Sequence, residues 1–437
     1  MTGALEAEVE SIALSIAPAP LPGRDRWSLM IFGGLLLTLV QFSVPYEGLV
    51  GLPITFFLKN KLHLDASALA QFNLIAGIPL MVGVLFGFLR DTWSPGGRGD
   101  RGHLMVFGSV GVAIYAVMAL LPPSYFVLLG GVLLGTCGVQ MLWSAARGLV
   151  SAAGQQQAIT GQMATVVNIA SSIPSLAAYL LGGVLSAYLE GQNAVVAARI
   201  LFLIGAGLMG AIALFGLFGP ARLFTTADTG PRTETMAADA LRLLRHAPIY
   251  PVLLIQLIWQ FAPATGAVLP YHMGNDLHAS DAQVGAWYAI FFGSFAPVYL
   301  LYGWLCQRFR LKTLLWVGTV MAVLQMSPLL MIKTPHTALI AAAVMGAMGG
   351  IAQSAYTDLA IRSCPKGLQG AMMMLFMTMY WVTVRFGDIL GAWLYGGPGG
   401  FRAAVLVSLG IYALLLPCML LVPRHLSAAR DGERATA

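Results

Sequence analysis

The chain has 437 residues, of which 58% are hydrophobic and only 10% charged, with a mean hydropathy of +0.78. Soluble domains carry roughly 25% charged residues, so this composition excludes a water-soluble globular protein and defines a membrane protein. The net charge of +6 is scattered over many short loops without a basic stripe, which excludes a nucleic-acid-binding surface.

Residues 1–27 begin acidic, at Glu6, Glu8 and Glu10, and lack the basic start of a cleavable signal peptide. They are expected to form a cytosolic tail ahead of a first span that acts as an uncleaved anchor. Crossing the hydrocarbon core takes ~20 apolar residues. Twelve such runs are predicted, at 28–57, 68–89, 103–121, 125–146, 161–188, 197–218, 250–271, 282–305, 313–332, 337–357, 369–395 and 402–422. Prolines inside them, Pro45, Pro79, Pro174, Pro263 and Pro297 among others, should kink rather than end the helices, because neighbouring helices satisfy the freed backbone groups. The longest connection follows the sixth run. It holds the polar stretch TTADTGPRTET and then 237–245, where Leu241 and Leu244 mark a short amphipathic helix.

The expected fold is therefore an all-α membrane protein with twelve transmembrane helices in two pseudo-symmetric six-helix bundles. Its parts are a tail (1–27), a first bundle (28–218), a linker (219–249), a second bundle (250–422) and a second tail (423–437). Orientation follows from the basic residues. With the N-terminus inside, eighteen of the 24 Lys and Arg fall on the cytosolic side and five outside, at Lys59, Lys61, Arg199, Lys333 and Arg402; Arg385 alone lies within a span. Both termini are expected in the cytosol and the protein in a cell inner (plasma) membrane. Arg147, which continues a polar stripe of Thr136, Gln140 and Trp143, and Arg362 also read as anchors at the cytosolic ends of spans 4 and 10.

The halves repeat. Asp65, Gly77, Gly87 and Leu89 recur 216 residues later as Asp281, Gly293, Gly303 and Leu305. Gly161, Met163, Leu181, Gly182 and Leu185 recur 209 residues later as Gly370, Met372, Leu390, Gly391 and Leu394. Parallel repeats related by an axis along the membrane normal are one of the known transporter architectures. With these features the chain resembles the major facilitator superfamily over essentially its whole length. That family places a glycine–x–x–x–aspartate and basic residues between spans 2 and 3, matched here by Gly87, Asp91, Arg98 and Arg101. The resemblance implies a gate, with Asp91 latching to Arg98 or Arg101. The second copy departs, because Gln307 stands where the aspartate would be, so that loop is expected to gate less tightly or by hydrogen bond. A narrower resemblance, to folate–biopterin-type transporters, rests on TDLAIRSCPKGLQGAMMMLF (357–376) and FFLKNKLHLDASAL (56–69); muropeptide-permease-like and sugar–cation symporter groups share much of this pattern.

Charges inside a span usually face the bundle interior, because lipid exposure penalises them. Glu47 in span 1 and Asp388 in span 11 are the candidate proton-coupling residues. Arg385, three residues before Asp388, can pair with it or hold an anionic group, and Trp381 extends the same face. Further polar and aromatic stripes give Gln140 and Trp143 in span 4, Gln256, Trp259 and Gln260 in span 7, and Gln353 and Tyr356 in span 10. As a set they are candidate substrate contacts in a pocket suited to a flat or amphiphilic solute, the competing reading being hydrogen bonds between helices.

Phosphate-cradling loops, zinc-protease signatures and metal-spaced cysteines are all missing from the sequence, so no enzyme, cofactor or metal role is expected. The expected function is secondary transport of a small organic solute by alternating access, coupled to H⁺, by a monomer in the lipid bilayer. The alternative is a non-transporting relative acting in assembly or in pigment or lipid binding.

Overall fold

The computed structural model describes residues 23–46, 48–64, 66–225, 235–266 and 268–433. Helices begin where polar side chains cap them. Ser124 Oγ accepts from Val127 N (3.4 Å) and Asn193 Oδ1 from Val196 N (2.9 Å), while Ser280 and Thr334 close capping boxes with Gln283 and Thr337. Among the described residues, eleven helices are long and apolar enough to cross a membrane, or up to twelve if the bent pair Met236–Arg245 and Ile249–Gln260 is one span.

In the first half, span 1 is Gly23–Ser43 continued by Gly51–Asn60, and span 2 is Ala66–Met81 with Gly83–Thr92. Spans 3 to 6 are Gly99–Leu120, Tyr125–Gln156, Thr160–Glu190 and Ala194–Phe218. In the second half, span 7 is Ile249–Gln260, followed after a break by Val268–Tyr271 and the π-turn His272–Asp276. Spans 8 to 12 are Asp281–Leu305, Leu311–Leu324 with Ser327–Met331, Pro335–Ser363, Gln369–Gly396, and Gly400–Ala413 with Leu415–Leu421. The apolar core divides accordingly. One cluster is built by spans 1 to 6 and joined by Leu368 and Met372 from the second half; the other is built by spans 7 to 12.

Spans 1 and 7 are both interrupted, at equivalent places in the two halves. In span 1 Pro45 cannot donate a hydrogen bond, and the chain turns through Gly48 N to Val44 O (2.9 Å) and Leu49 N to Phe42 O (3.0 Å) before the helix resumes. Glu47, between Pro45 and Gly48 in the sequence, lies outside the described residues. The run expected at 250–271 stops at Gln260, because Pro263 follows; Ala264 N is satisfied by Ser408 Oγ of span 12 (3.1 Å). Irregular backbone at membrane depth is tolerated only where protein or a water-filled cavity meets it. Paired interruptions in corresponding segments are the backbone signature of a central binding site.

Span 4 corrects an expectation. Its hydropathic run ends at residue 146, yet the helix continues to Gln156 because its later turns bury Leu149, Val150 and Ala153 in the bundle. Arg147 is therefore an internal residue of the helix and not an anchor at its end. The linker carries a helix, Met236–Arg245, capped by Thr235 and turned 87° from span 7. Beyond span 12 the chain forms Arg424–Ser427 and then crosses to the first half, where Gly432 N donates to Ala158 O (2.8 Å). Both described chain ends lie at this same end of the bundle, since Arg26 and Asp431 each bond to Gln162.

Candidate functional site

The halves meet at two helix crossings on the end that carries both termini. At the first, span 2 passes so close to span 11 that a Cβ on Gly87 would stand 2.5 Å from Ala371 Cα. Glycine is required at that contact. The Asp91 carboxylate then sits on the start of span 11, accepting from Gly370 N (3.2 Å) and Ala371 N (2.7 Å). Those amides have no partner within their own helix, and the helix N-terminus carries partial positive charge, so an anion there is doubly favoured. Arg90 Nη1 donates to Asp91 (2.6 Å) and its other nitrogens grip Asp100 (2.7 and 2.6 Å).

This corrects the expected latch. Arg98 is exposed and among the described residues reaches only Met105 Sδ (3.9 Å), while Arg101 donates to Gly219 O (2.6 Å) and lies over Phe224. The turn Pro95–Gly97, with Gly96 and Gly97 at positive φ, swings both arginines away from Asp91 and delivers Asp100 to Arg90. The basic partner is Arg90, one residue before the aspartate.

The second crossing repeats the first with a different donor of charge. Span 5 meets span 8 at Gly161, where a Cβ would stand 2.7 Å from Cys306 Cβ. Gln307 takes no part: it is exposed and donates back to Gly303 O (2.8 Å). Asp431, from the C-terminal tail, caps span 5 by accepting from Gly161 N (3.0 Å) and Gln162 N (2.8 Å). Gly161 and Gly370 are the pair found 209 residues apart, so Asp431 occupies in one crossing the place Asp91 has in the other. Arg362 Nη2 approaches Asp431 (3.3 Å) while its Nε bonds Asp358 (2.8 Å) and Thr160 (2.9 Å). Arg362 thus lies where a basic end-residue was expected, but as part of this lock. Burial, together with the Asp358 carboxylate, pushes the Asp431 carboxyl up to about 6. Burial also holds the Cys306 thiol well above its usual range, so it remains a donor toward Asp431 Oδ2 (3.5 Å). Gln155 completes the closure, donating to Ile361 O (2.8 Å) and Cys364 O (2.7 Å).

Span 11 runs from these crossings past both helix breaks. Thr378 Oγ1 accepts from Val84 N at the kink in span 2 (3.0 Å), and one turn on Trp381 stands edge-on to Tyr46 in the span 1 break (5.8 Å). Asp388 lies against the span 7 break, so close that a Cβ on Gly266 would strike its Oδ1. Tyr288 bonds the same turn, at Thr265 O (3.4 Å) and Gly266 O (3.3 Å). Arg385 is exposed, and no ion pair among the described residues joins it to Asp388.

Several expected substrate contacts are turned inward. Gln140 is buried and donates to Pro79 O at the span 2 kink (3.2 Å). Trp143 is buried beneath Arg147. Trp259 donates to Gln353 Oε1 (2.6 Å) and packs on Tyr412 and Tyr356, and Gln256 reaches Tyr356 O (3.5 Å). Tyr356 is fully enclosed, bonded to Thr319 (2.8 Å). Helical spacing shows which residues share a face, but not whether that face points to the cavity or into its own half. Gln260, Gln353 and Trp381 retain partial exposure. Asn168 and Thr357, each on a polar stripe of its span, form a bond between the halves (3.2 Å), whereas Asp431 was not singled out as functional by sequence.

Two related helical bundles, each with a broken first span and joined through acids on helix N-termini, make up a two-bundle membrane protein. The Major Facilitator Superfamily family model matches residues 252–436. A folate-biopterin transporter of Synechocystis sp. is 24% identical, over 93% of this chain and 82% of its own length. The solved structure of the transporter FucP in the outward conformation superposes with a TM-score of 0.69 at 15% identity, covering 91% of this chain and 99% of that one. The human organic anion transporter TETRAN gives a TM-score of 0.65 at 16% identity, covering 91% and 100%. These structural likenesses are of fold. The second half of the chain is thus similar to the major facilitator superfamily, and the whole chain is a multi-pass membrane protein with the fold of these solved structures.

Proposed function

We propose that the chain is a monomeric secondary transporter of an inner membrane, moving a flat heteroaromatic solute of the pterin type by alternating access, with H⁺ as coupling ion. The observation that carries this reading is the pair of acid-capped crossings, which tie the halves together at one end. With both termini in the cytosol, that end is the cytosolic gate, and the closed gate leaves the central site facing outward. Rocking the halves would release Asp91 from span 11 and Asp431 from span 5 and open the inner side. Asp388, at the span 7 break, and Glu47, between Pro45 and Gly48 in the sequence, would be the acids that exchange a proton between the two states. Arg385, Trp381 and the exposed edges of Gln260 and Gln353 would face the solute. The pterin class is supported by the match to the folate-biopterin transporter along nearly the whole chain.

The test is uptake of labelled folate and biopterin into proteoliposomes, with and without an imposed pH gradient. Uptake driven by the gradient and abolished by Asp388→Asn or Glu47→Gln is expected. Uptake indifferent to the gradient would remove the proton coupling, and no uptake of either pteridine would remove the cargo class.

A further inference from the structure

Arg147 stands on span 4 with its guanidinium over the Trp143 ring (4.4 Å to the centroid). Its Nη2 donates to Ser171 Oγ (3.3 Å), and its Nε is buried with no hydrogen-bond partner. The contrast with Arg90 and Arg362 is sharp. Arg90 holds Asp91 and Asp100, and Arg362 holds Asp358 and Asp431. Among the described residues no carboxylate comes within ion-pair distance of Arg147. A cation inside a membrane bundle is retained only where something compensates it, and an unmatched one marks a ligand site. Aromatic surface and spare donor capacity lie next to it. Tyr46 is close enough to couple electrostatically with Arg147, and Trp381 stands edge-on to Tyr46 with its own Nε1 buried and without a hydrogen-bond partner.

We propose that Arg147 binds a carboxylate-type anionic group of the transported solute, whose aromatic ring packs against Tyr46 and Trp381. The inference rests on the transport reading above and names the charge its solute must carry. Arginine suits the task because its planar fork can hold a carboxylate through two parallel hydrogen bonds. The ring face of Trp143 supports the cation while the site is empty and fixes its plane. Ser171, on span 5, fixes the position of the guanidinium between spans 4 and 5.

The experiment is isothermal titration calorimetry of the purified full chain with three probes: folate, which carries carboxylates, biopterin, which has none, and 2-naphthoate, a simple aromatic acid. Arg147→Gln is expected to weaken both acids at least tenfold and to leave biopterin within twofold, whereas Arg147→Lys, which keeps the charge but loses the fork, is expected to fall between Arg147→Gln and wild type for the acids. Because no acid is stranded by the change, Arg147→Gln should melt no lower than wild type. Wild-type binding of 2-naphthoate without either pteridine, lost in Arg147→Gln, would uphold the anion site and refute the pterin cargo. Unchanged acid affinity in Arg147→Gln, equal weakening of biopterin, a large fall in melting temperature, or a wild type that binds neither acid would each overturn the proposal.

Discussion

Replacing Asp431 with alanine removes the carboxylate that the tail supplies to span 5. Two backbone donors, Gly161 N and Gln162 N, lose acceptors at 3.0 and 2.8 Å, and both bonds cross from one half to the other. Hydrogen bonds to charged groups contribute about 1.5–3 kcal/mol each, and burial of the carboxylate takes back part of that. A net loss of about 2–3 kcal/mol raises the open-to-closed ratio at this crossing roughly 30- to 150-fold. Hydrogen–deuterium exchange resolves it directly, because those two amides are protected only while the tail is docked. Asp431→Ala should lower their protection by about that factor and leave Gly370 and Ala371 unchanged, whereas Asp91→Ala should do the reverse. Wild-type protection at Gly161 and Gln162 in Asp431→Ala would refute the assignment of the tail as the second latch.

Gly87→Val forces side-chain atoms onto Ala371, where a Cβ alone would stand 2.5 Å from Cα; overpacking of this kind typically imposes about 1–3 kcal/mol, here on the closed gate alone. Spin-label distances across that end should lengthen, and an unchanged distribution would contradict the crossing. Gln155→Ala deletes the bonds to Ile361 O and Cys364 O and should loosen the same end by about 1–2 kcal/mol, less than Asp431→Ala, in the same measurement. The gate should also respond to pH. The Asp431 carboxyl is raised from 3.8 to about 6 in the closed arrangement, by burial and by Asp358, with Arg362 and the two amides opposing. The closed state therefore binds the proton more tightly than a released, solvated tail. Closure should strengthen as pH falls from about 7 toward 5, and Asp431→Asn should flatten that dependence. A closed population that shrinks on acidification would reverse the sign and refute it.

The membrane architecture was legible because it is written in hydropathy and repetition. Apolar runs locate the helices, and the 216- and 209-residue repeats single out Gly87, Gly303, Gly161 and Gly370, which stand at the two crossings. What those glycines touch was not legible, since each meets a helix from the other half. Gln307 correctly signalled that the second loop lacks an acid. Its replacement, Asp431, sits in a short polar tail where a lone aspartate has no periodicity to mark it, and only the packed structure brings it to Gly161. Arg147 lies on the span 4 stripe, but its competing reading as an end anchor arises because a hydropathy window stops at a charge, while the helix continues by burying Leu149 and Val150. The polar stripes found the right helices, but Tyr356 and Gln140 point into their own halves, a direction that spacing along one helix does not encode.

Alternating access requires the two ends of the molecule to move in opposite senses, and double electron–electron resonance tests this most directly. One spin-label pair at Arg98 and Lys312 reports the end carrying both termini; a second at Lys59 and Lys333 reports the other end, and all four side chains are exposed. The wild type should rest with the first pair close and the second apart. Asp431→Ala should lengthen the first distance and shorten the second in the same population. Two distances that stay fixed, or that lengthen together, would contradict a rocking transporter.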